Sequence, residues 1–316
     1  MAEKAVIAID LGGTRIKLGL VSAGTVLLTH QMDSQSGQGL RSRLPQIETA
    51  IKNLLAQARL TIDDLIGVGI AIPGIVDPIH KRVLTINSKY SDAPELDLLA
   101  WAHETWGLPL YLENDTRAAL LGEWQYGSGR GYDNVVLMTL GTGIGTSAVI
   151  EGRLLRGKHF QAGILGGHVV INTHGNQCNC GTVGCAEAEA STWSLNQRAT
   201  AHATYPQSSL CQYDTVDYEA VFRCARQGDA LATSLRNESI DVWAACAYNL
   251  VQVYDPDVLI LGGGVMASRD VIIPPIQQRL NQNAWATWGK VAVVPGILSD
   301  SAALLGVATL AYNLDI

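Results

Sequence analysis

No apolar run in this sequence approaches the roughly 18 residues that a membrane-spanning helix needs, although 47% of its 316 residues are hydrophobic. Basic residues are few as well: 22 Lys and Arg stand against 29 Asp and Glu, for a net charge of −7. That balance argues against nucleic acid as the main partner, because phosphate-backbone binding wants a basic face. A small phosphorylated ligand needs only a local cluster of donors and stays open. Cysteine is sparse, six in all, and three of the six sit in CNCGTVGC, residues 178–185. A secreted disulfide framework uses more cysteines in a shorter chain, and a redox CxxC pair is absent. MAEKAVIAIDLGG has none of the features of a cleavable leader. The expectation is a cytoplasmic protein with reduced thiols. Neither the Walker pattern G-x4-G-K-[ST] nor the dinucleotide pattern G-x-G-x-x-G occurs, which disfavours a P-loop enzyme and a dehydrogenase.

What is present is a repeated strand–glycine pattern. AVIAIDLGG, RIKLGLVS and GTVLLTHQM read as three strands across residues 4–32, the first of them alternating. Ile47, Ala50, Ile51, Leu54 and Leu55 recur at spacings of three and four, which predicts a helix over 46–58, with Pro45 where a first turn tolerates it. GVGIAIPG (67–74) and PLYLEND (109–115) are strands, the second leading into a helix at TRAALLGEW. The pattern restarts at NVVLMTLGTGIG (134–145), continues as a hairpin through TSAVIEGRLLRG, and is followed by a loop over 205–216. A long helix follows over 228–253, then the strand DVLILGGGV (257–265) and an apolar C-terminal helix. Two such halves suggest two related α/β domains.

Three glycine turns stand out: Asp10, Gly12, Gly13 and Thr14 in DLGGT; Gly141, Thr142, Gly143 and Gly145 in LGTGIG; and Gly262, Gly263 and Gly264. Successive N–H groups in such turns can form an anion-binding nest. Two turns for phosphates and one for adenosine would fit ATP. A carboxylate at Asp10 beside phosphates calls for Mg²⁺ between them, and Lys17 either offsets that charge or faces solvent. Asn114 and Asp115 stand where a strand becomes a helix. There they serve as helix caps, or Asp115 serves as a general base held ionised by the helix N-terminus. Cys178, Cys180 and Cys185 with one imidazole, His168 or His174, make a closed tetrahedral zinc site with no open position for water.

Taken together, DLGGTRIKLGLV, ENDTRAALLGEW, LGTGIG, LILGGGV and above all H-x9-C-x-C-G-x2-G-C-x-E (168–187) resemble the ROK family of sugar kinases and sugar-responsive repressors. The resemblance runs from residue 5 to about 310. It implies a two-domain actin/hexokinase-like (ribonuclease H-like) α/β fold with a cleft between domains. The small domain would be 1–114, with a helix over about 300–316 packed back on it; the large domain would be 115–299, with a zinc loop at 168–187. It implies an ATP-dependent kinase of a hexose or hexose derivative, using Mg²⁺, with Asp115 as base. Sugar contacts would come from Asn114, Glu187 and His168, and more loosely from Gly74 and Asn87. His168 takes the fourth place on a structural Zn²⁺, and family members are commonly homodimers. With DLGGT reached by residue 10, a repressor's N-terminal DNA-binding segment is not expected. One position departs from the family pattern: E-x-G-H is here Leu165, Gly166, Gly167, His168. The expected consequence is altered sugar specificity. The alternatives are a weak or inactive binding protein, and a glucokinase.

Overall fold

The computed structural model describes residues 4–87 and 89–312. The chain forms two compact units. One comprises Met1–Gly131, Arg153–Ala162 and Ile297–Ile316; the other comprises Tyr132–Gly152 and Gly163–Gly296. The sequence-based boundary at 114/115 therefore falls inside the first unit, which also takes back residues 153–162. Contiguous sequence segments give no sign of such a return.

In the first unit a sheet runs β3-β2-β1-β4-β7. Its strands are β1 (Ala5–Leu11), β2 (Arg15–Ser22), β3 (Thr25–Asp33), β4 (Leu65–Ile72) and β7 (Leu110–Asn114). The first three form an antiparallel meander, whereas β4 and β7 join parallel. A separate ribbon pairs β5 (Ile75–Asp77) with β6 (Arg82–Thr85). Read from sequence, β1 alternates; in the structure both its faces are buried. Ile7, Ile9 and Leu11 join the core under α1 (Leu44–Ala58), which buries the five residues its spacing marked. Val6 and Ala8 join the core under α9 (Ala302–Tyr312). α9 lies close on α3 (Asp115–Tyr126): a Cβ on Gly306 would strike the carbonyl of Ala118, and one on Gly122 that of Ala302. The expected helix extends to 316, and residues 313–316 lie outside the described residues.

The second unit's strands run in the order β9-β8-β11-β12. Its strands are β8 (Val135–Leu140), β9 (Ile144–Ile150), β11 (Val258–Gly262) and β12 (Ala292–Pro295), while β10 (Arg153–Leu154) belongs to the returning segment of the first unit. Here one hairpin pair, β8 with β9, is antiparallel, and as in the first unit the next two pairs are parallel. The long helix α7 (Ala230–Tyr254) is capped by Asp229 and buries Trp243, whose indole donates to the Ala190 carbonyl at 2.8 Å. The expected loop at 205–216 contains two short 3-10 turns, Tyr205–Gln207 and Ser209–Gln212. Among the described residues, no helix is long and apolar enough to cross a membrane.

Candidate active site

The DLGGT turn joins β1 to β2. Neither Gly12 nor Gly13 has positive φ, so backbone handedness is not what selects them. Space is: a Cβ on Gly12 would lie 2.7 Å from the Arg15 carbonyl oxygen, and one on Gly13 2.5 Å from Lys89 Nζ. The turn is braced from behind. Ser34 and Ser36 hydroxyls donate to the Gly13 carbonyl at 2.6 and 2.9 Å, and the buried Tyr90 donates to that of Gly12 at 2.9 Å. Thr14 is exposed beside them. Asp10, one residue back on β1, is pushed up to about 7 by burial, against the opposing pull of Lys17. Lys17 Nζ lies 3.8 Å from Asp10 and 2.7 Å from Asp300, so it turns toward this acid. A half-buried carboxylate beside a turn of this shape is a fitting ligand for a divalent cation.

Asp115 opens α3 on the edge of the same sheet, near enough to Asp10 to raise its pKa. Asn114 is 4% exposed and is the helix cap: its Oδ1 accepts from Thr116 and Arg117 N–H groups at 3.0 and 3.1 Å. Its Nδ2 donates to the Gly74 carbonyl and to Asp115 Oδ1, both at 3.0 Å. The cap and the acid are thus one device, with Asn114 fixing the Asp115 carboxylate and Gly74 fixing Asn114. Against the expected hold of the helix N-terminus on the ionised Asp115 works an opposing effect on its pKa. Burial raises it, outweighing the Thr116 N–H, Lys89 and Asn114. Asn87 is exposed, and no described residue bonds its side chain.

Behind this device lies a charge network that the sequence analysis missed. Glu113 is fully buried, 3.4 Å from Arg117 Nη1 and 2.9 Å from Arg156 Nε. Arg117, also fully buried, donates to the carbonyls of Leu155, Arg156, Phe160 and Ala162. It pins residues 153–162 to the helix that begins with Asp115. A charged pair inside LYLENDTR, a stretch that otherwise reads as buried, was the available signal.

In the second unit, LGTGIG joins β8 to β9. A Cβ on Gly143 would lie 2.5 Å from the Glu187 carboxylate. Glu187 accepts from the Ile144 N–H at 2.9 Å and from the Trp193 indole at 3.3 Å. Thr192 and Trp193 N–H groups reach the carbonyls of Gly141 and Thr142 at 3.1 and 3.2 Å. Glu187 is therefore a strut of the second glycine turn, with lone pairs left over for a ligand. Gly263 has φ 89° and lies against the Leu140 carbonyl, a place where a side chain does not fit, so the third turn abuts the end of β8. Gly262 and Gly264 have no comparable crowding.

The cysteine loop brings His168, Cys178, Cys180 and Cys185 together, their ligand atoms all within 4.8 Å of one another. His174, the rival ligand, is not in the group. Four ligands at about 2.0–2.3 Å on tetrahedral corners lie ~3.5–3.8 Å apart. Cys178 Sγ is 3.6 Å from His168 Nδ1, and Cys180 Sγ is 3.6 Å from Cys185 Sγ. Burial and the neighbouring thiols raise the Cys185 pKa; a dication compensates for such crowding of sulfur. The donor set fits zinc. His168 Nε2 has no hydrogen-bond partner among the described residues. Leu165 opens the Gly166–His168 turn and is 42% exposed, so it is not a core residue.

The sequence pattern of the ROK family matches residues 6–313. A glucokinase from Thermotoga maritima is 31% identical over 98% of each chain. A xylose repressor from Bacillus spizizenii is 26% identical over 96% of this chain and 76% of its own length. Among solved structures, a ROK family glucokinase from Streptomyces griseus, in complex with glucose and AMPPNP, matches with TM-score 0.80 and 30% identity, covering 98% of this chain and 99% of that one.

Proposed function

The chain belongs to the ROK family and is a sugar kinase of the actin/hexokinase-like fold, and from that premise we propose that it transfers the γ-phosphate of ATP to a hydroxyl of a hexose or hexose derivative with Asp115 as base. The observation that carries this assignment is Asp115, half-buried at the head of α3 and oriented by Asn114, in one unit with the DLGGT turn. The sugar oxygen attacks the γ-phosphorus, the bond to the β-phosphate oxygen breaks, ADP leaves, and Asp115 takes the hydroxyl proton. The raised pKa of Asp115 makes it a better proton acceptor than an ordinary carboxylate. Asp10 is the proposed holder of Mg²⁺, which when bound offsets phosphate charge. Gly12–Thr14 and Gly141–Gly143 take the phosphates, and Gly262–Gly264 the adenosine. Glu187 and His168 meet sugar hydroxyls. Zinc on His168, Cys178, Cys180 and Cys185 fixes the loop that carries those two residues.

Leu165 tunes specificity in this proposal. Where the family pattern has a glutamate that reads sugar hydroxyls, an exposed apolar side chain stands instead. A substrate that lacks or modifies those hydroxyls suits it. A second reading, glucokinase, is favoured by the relatives that carry that name. One experiment separates them: ADP release measured over hexoses, N-acetylhexosamines and rarer sugars, with wild type, Asp115→Asn and Leu165→Glu. The expected result is turnover on a sugar other than glucose and none with Asp115→Asn. Leu165→Glu should gain about 10- to 150-fold on glucose-type sugars, the worth of a hydrogen bond to a charged group. Efficient glucose turnover by wild type supports the second reading. A flat panel favours a sugar- or nucleotide-binding protein over the proposed transfer, and full activity in Asp115→Asn rejects Asp115 as the base.

A further inference from the structure

Lys89 lies in the irregular stretch between β6 and α2 (Leu98–Trp106). It is half-buried, and its Nζ rests against Gly13, at the point where that residue has no side chain. Its charge also reaches Asp115, where it favours the ionised carboxylate. Among the described residues, neither an ion-pair nor a hydrogen-bond partner faces its ammonium. The backbone beneath it is well held. Lys89 N–H donates to the Asn87 carbonyl at 2.7 Å, and Tyr90 N–H to that of Ser36 at 2.8 Å. Asp92 accepts from Leu40 and Arg41 N–H groups at 2.6 and 2.9 Å. An ammonium partly out of water, with no partner among the described residues, is suited to receive an anion. The phosphate turn on one side and the base on the other say which anion passes there.

We propose that Lys89 is a catalytic residue that donates hydrogen bonds to the phosphoryl group as it moves from ATP to the sugar. The proposal rests on the kinase reading above. As the Pγ–O bond to ADP breaks and the bond to the sugar oxygen forms, negative charge spreads over the three equatorial oxygens, and a fixed cation stabilises it. Asp115 takes the proton, so Lys89 need exchange none. Gly13 is a glycine, on this view, to let the ammonium come down onto the phosphates.

The test compares binding of Mg-AMPPNP and Mg-ADP by calorimetry in wild type, Lys89→Met and Lys89→Arg, with melting temperature as the folding control. Lys89→Met should lose about 10-fold or more in AMPPNP affinity and change ADP affinity by less than about twofold, and Lys89→Arg should recover part of the loss. With the sugar found by the panel, kcat should fall about 10²- to 10³-fold while KM for the sugar holds. Equal losses for both nucleotides would mean that Lys89 only shapes the loop, and no loss for either would mean that it does neither; both outcomes overturn the proposal. So does a defect confined to anionic acceptors such as hexuronates, which would make Lys89 a sugar-carboxylate contact. If wild type itself binds neither nucleotide, the kinase reading falls, and the Lys89 proposal with it.

Discussion

Asp10 and Asp115 are acids held where their charge is disfavoured, and that has a measurable signature. The Asp10 pKa is raised from 3.8 to about 7, mainly by burial. Between those values the folded chain binds a proton that the unfolded chain has released, so stability falls as pH rises through the window. At about 1.4 kcal/mol per unit the loss reaches about 4 kcal/mol as an upper bound, and it is fully present above pH 7. Asp10→Asn should therefore be more stable than wild type at pH 8, equal to it near pH 4, and inactive. Urea unfolding at several pH values measures this. A variant no more stable than wild type at pH 8 would show that Lys17 already satisfies the carboxylate. Both acids were legible in the sequence, because each sits at a strand end beside a turn or a helix start. Lys89, Glu113 and Arg117 were not. A lysine in an irregular stretch has no periodicity to mark it, and the partners that bury Glu113 and Arg117 lie about 40 residues away along the chain.

The elements divide in the same way. The strands and helices were legible because apolar spacing survives in sequence: α1 buries the very residues that predicted it. The glycine turns were legible as positions, and the structure gives each its cause: close approach by Arg15, Lys89 or Glu187 at Gly12, Gly13 and Gly143, and positive φ at Gly263. The cysteine loop is the element whose reading depends most on a ligand. It has little regular structure, only isolated bridges from Val170 to Cys185 and from Gln177 to Val183. If zinc closes it, purified protein should carry about one equivalent. Chelation should then make Cys178, Cys180 and Cys185 reactive to a thiol reagent and open residues 169–184 to protease. Cys211, exposed without metal, serves as the internal reference thiol. Well-folded protein that contains no zinc, and whose loop cysteines react no faster after chelation, would remove the site.

At the scale of the molecule, one motif appears twice, an antiparallel hairpin joined by two parallel strands in each unit. The repeated strand–glycine pattern made that duplication readable. The return of the C-terminal helix to the first unit was readable through the family resemblance, whereas the return of residues 153–162 was not, because it depends on which distant segment Arg117 holds. The packing of the C-terminal helix is specific. Ala303, Leu304, Leu305, Val307 and Ala308 of α9 fill one face of the sheet against Val6, Ala8, Val21 and Ala71. Gly306 meets α3 backbone to backbone, and Tyr312 donates to the carbonyls of Lys4 and Val21 at 2.9 and 3.2 Å. Each large apolar side chain exposed there loses about 1.5–3 kcal/mol, and a few such losses approach the roughly 5–15 kcal/mol that stabilises a typical protein. Deleting residues 297–316 should therefore do more than trim a surface helix. It should leave β1 and β4 open on one face and put the support of α3, and with it Asp115, out of place. The shortened chain should lose the thermal transition of its first unit by circular dichroism and be cut by protease within residues 1–131, while the second unit keeps its own transition. A shortened chain that melts as the full one does would show that α9 is packed against this core without being needed by it.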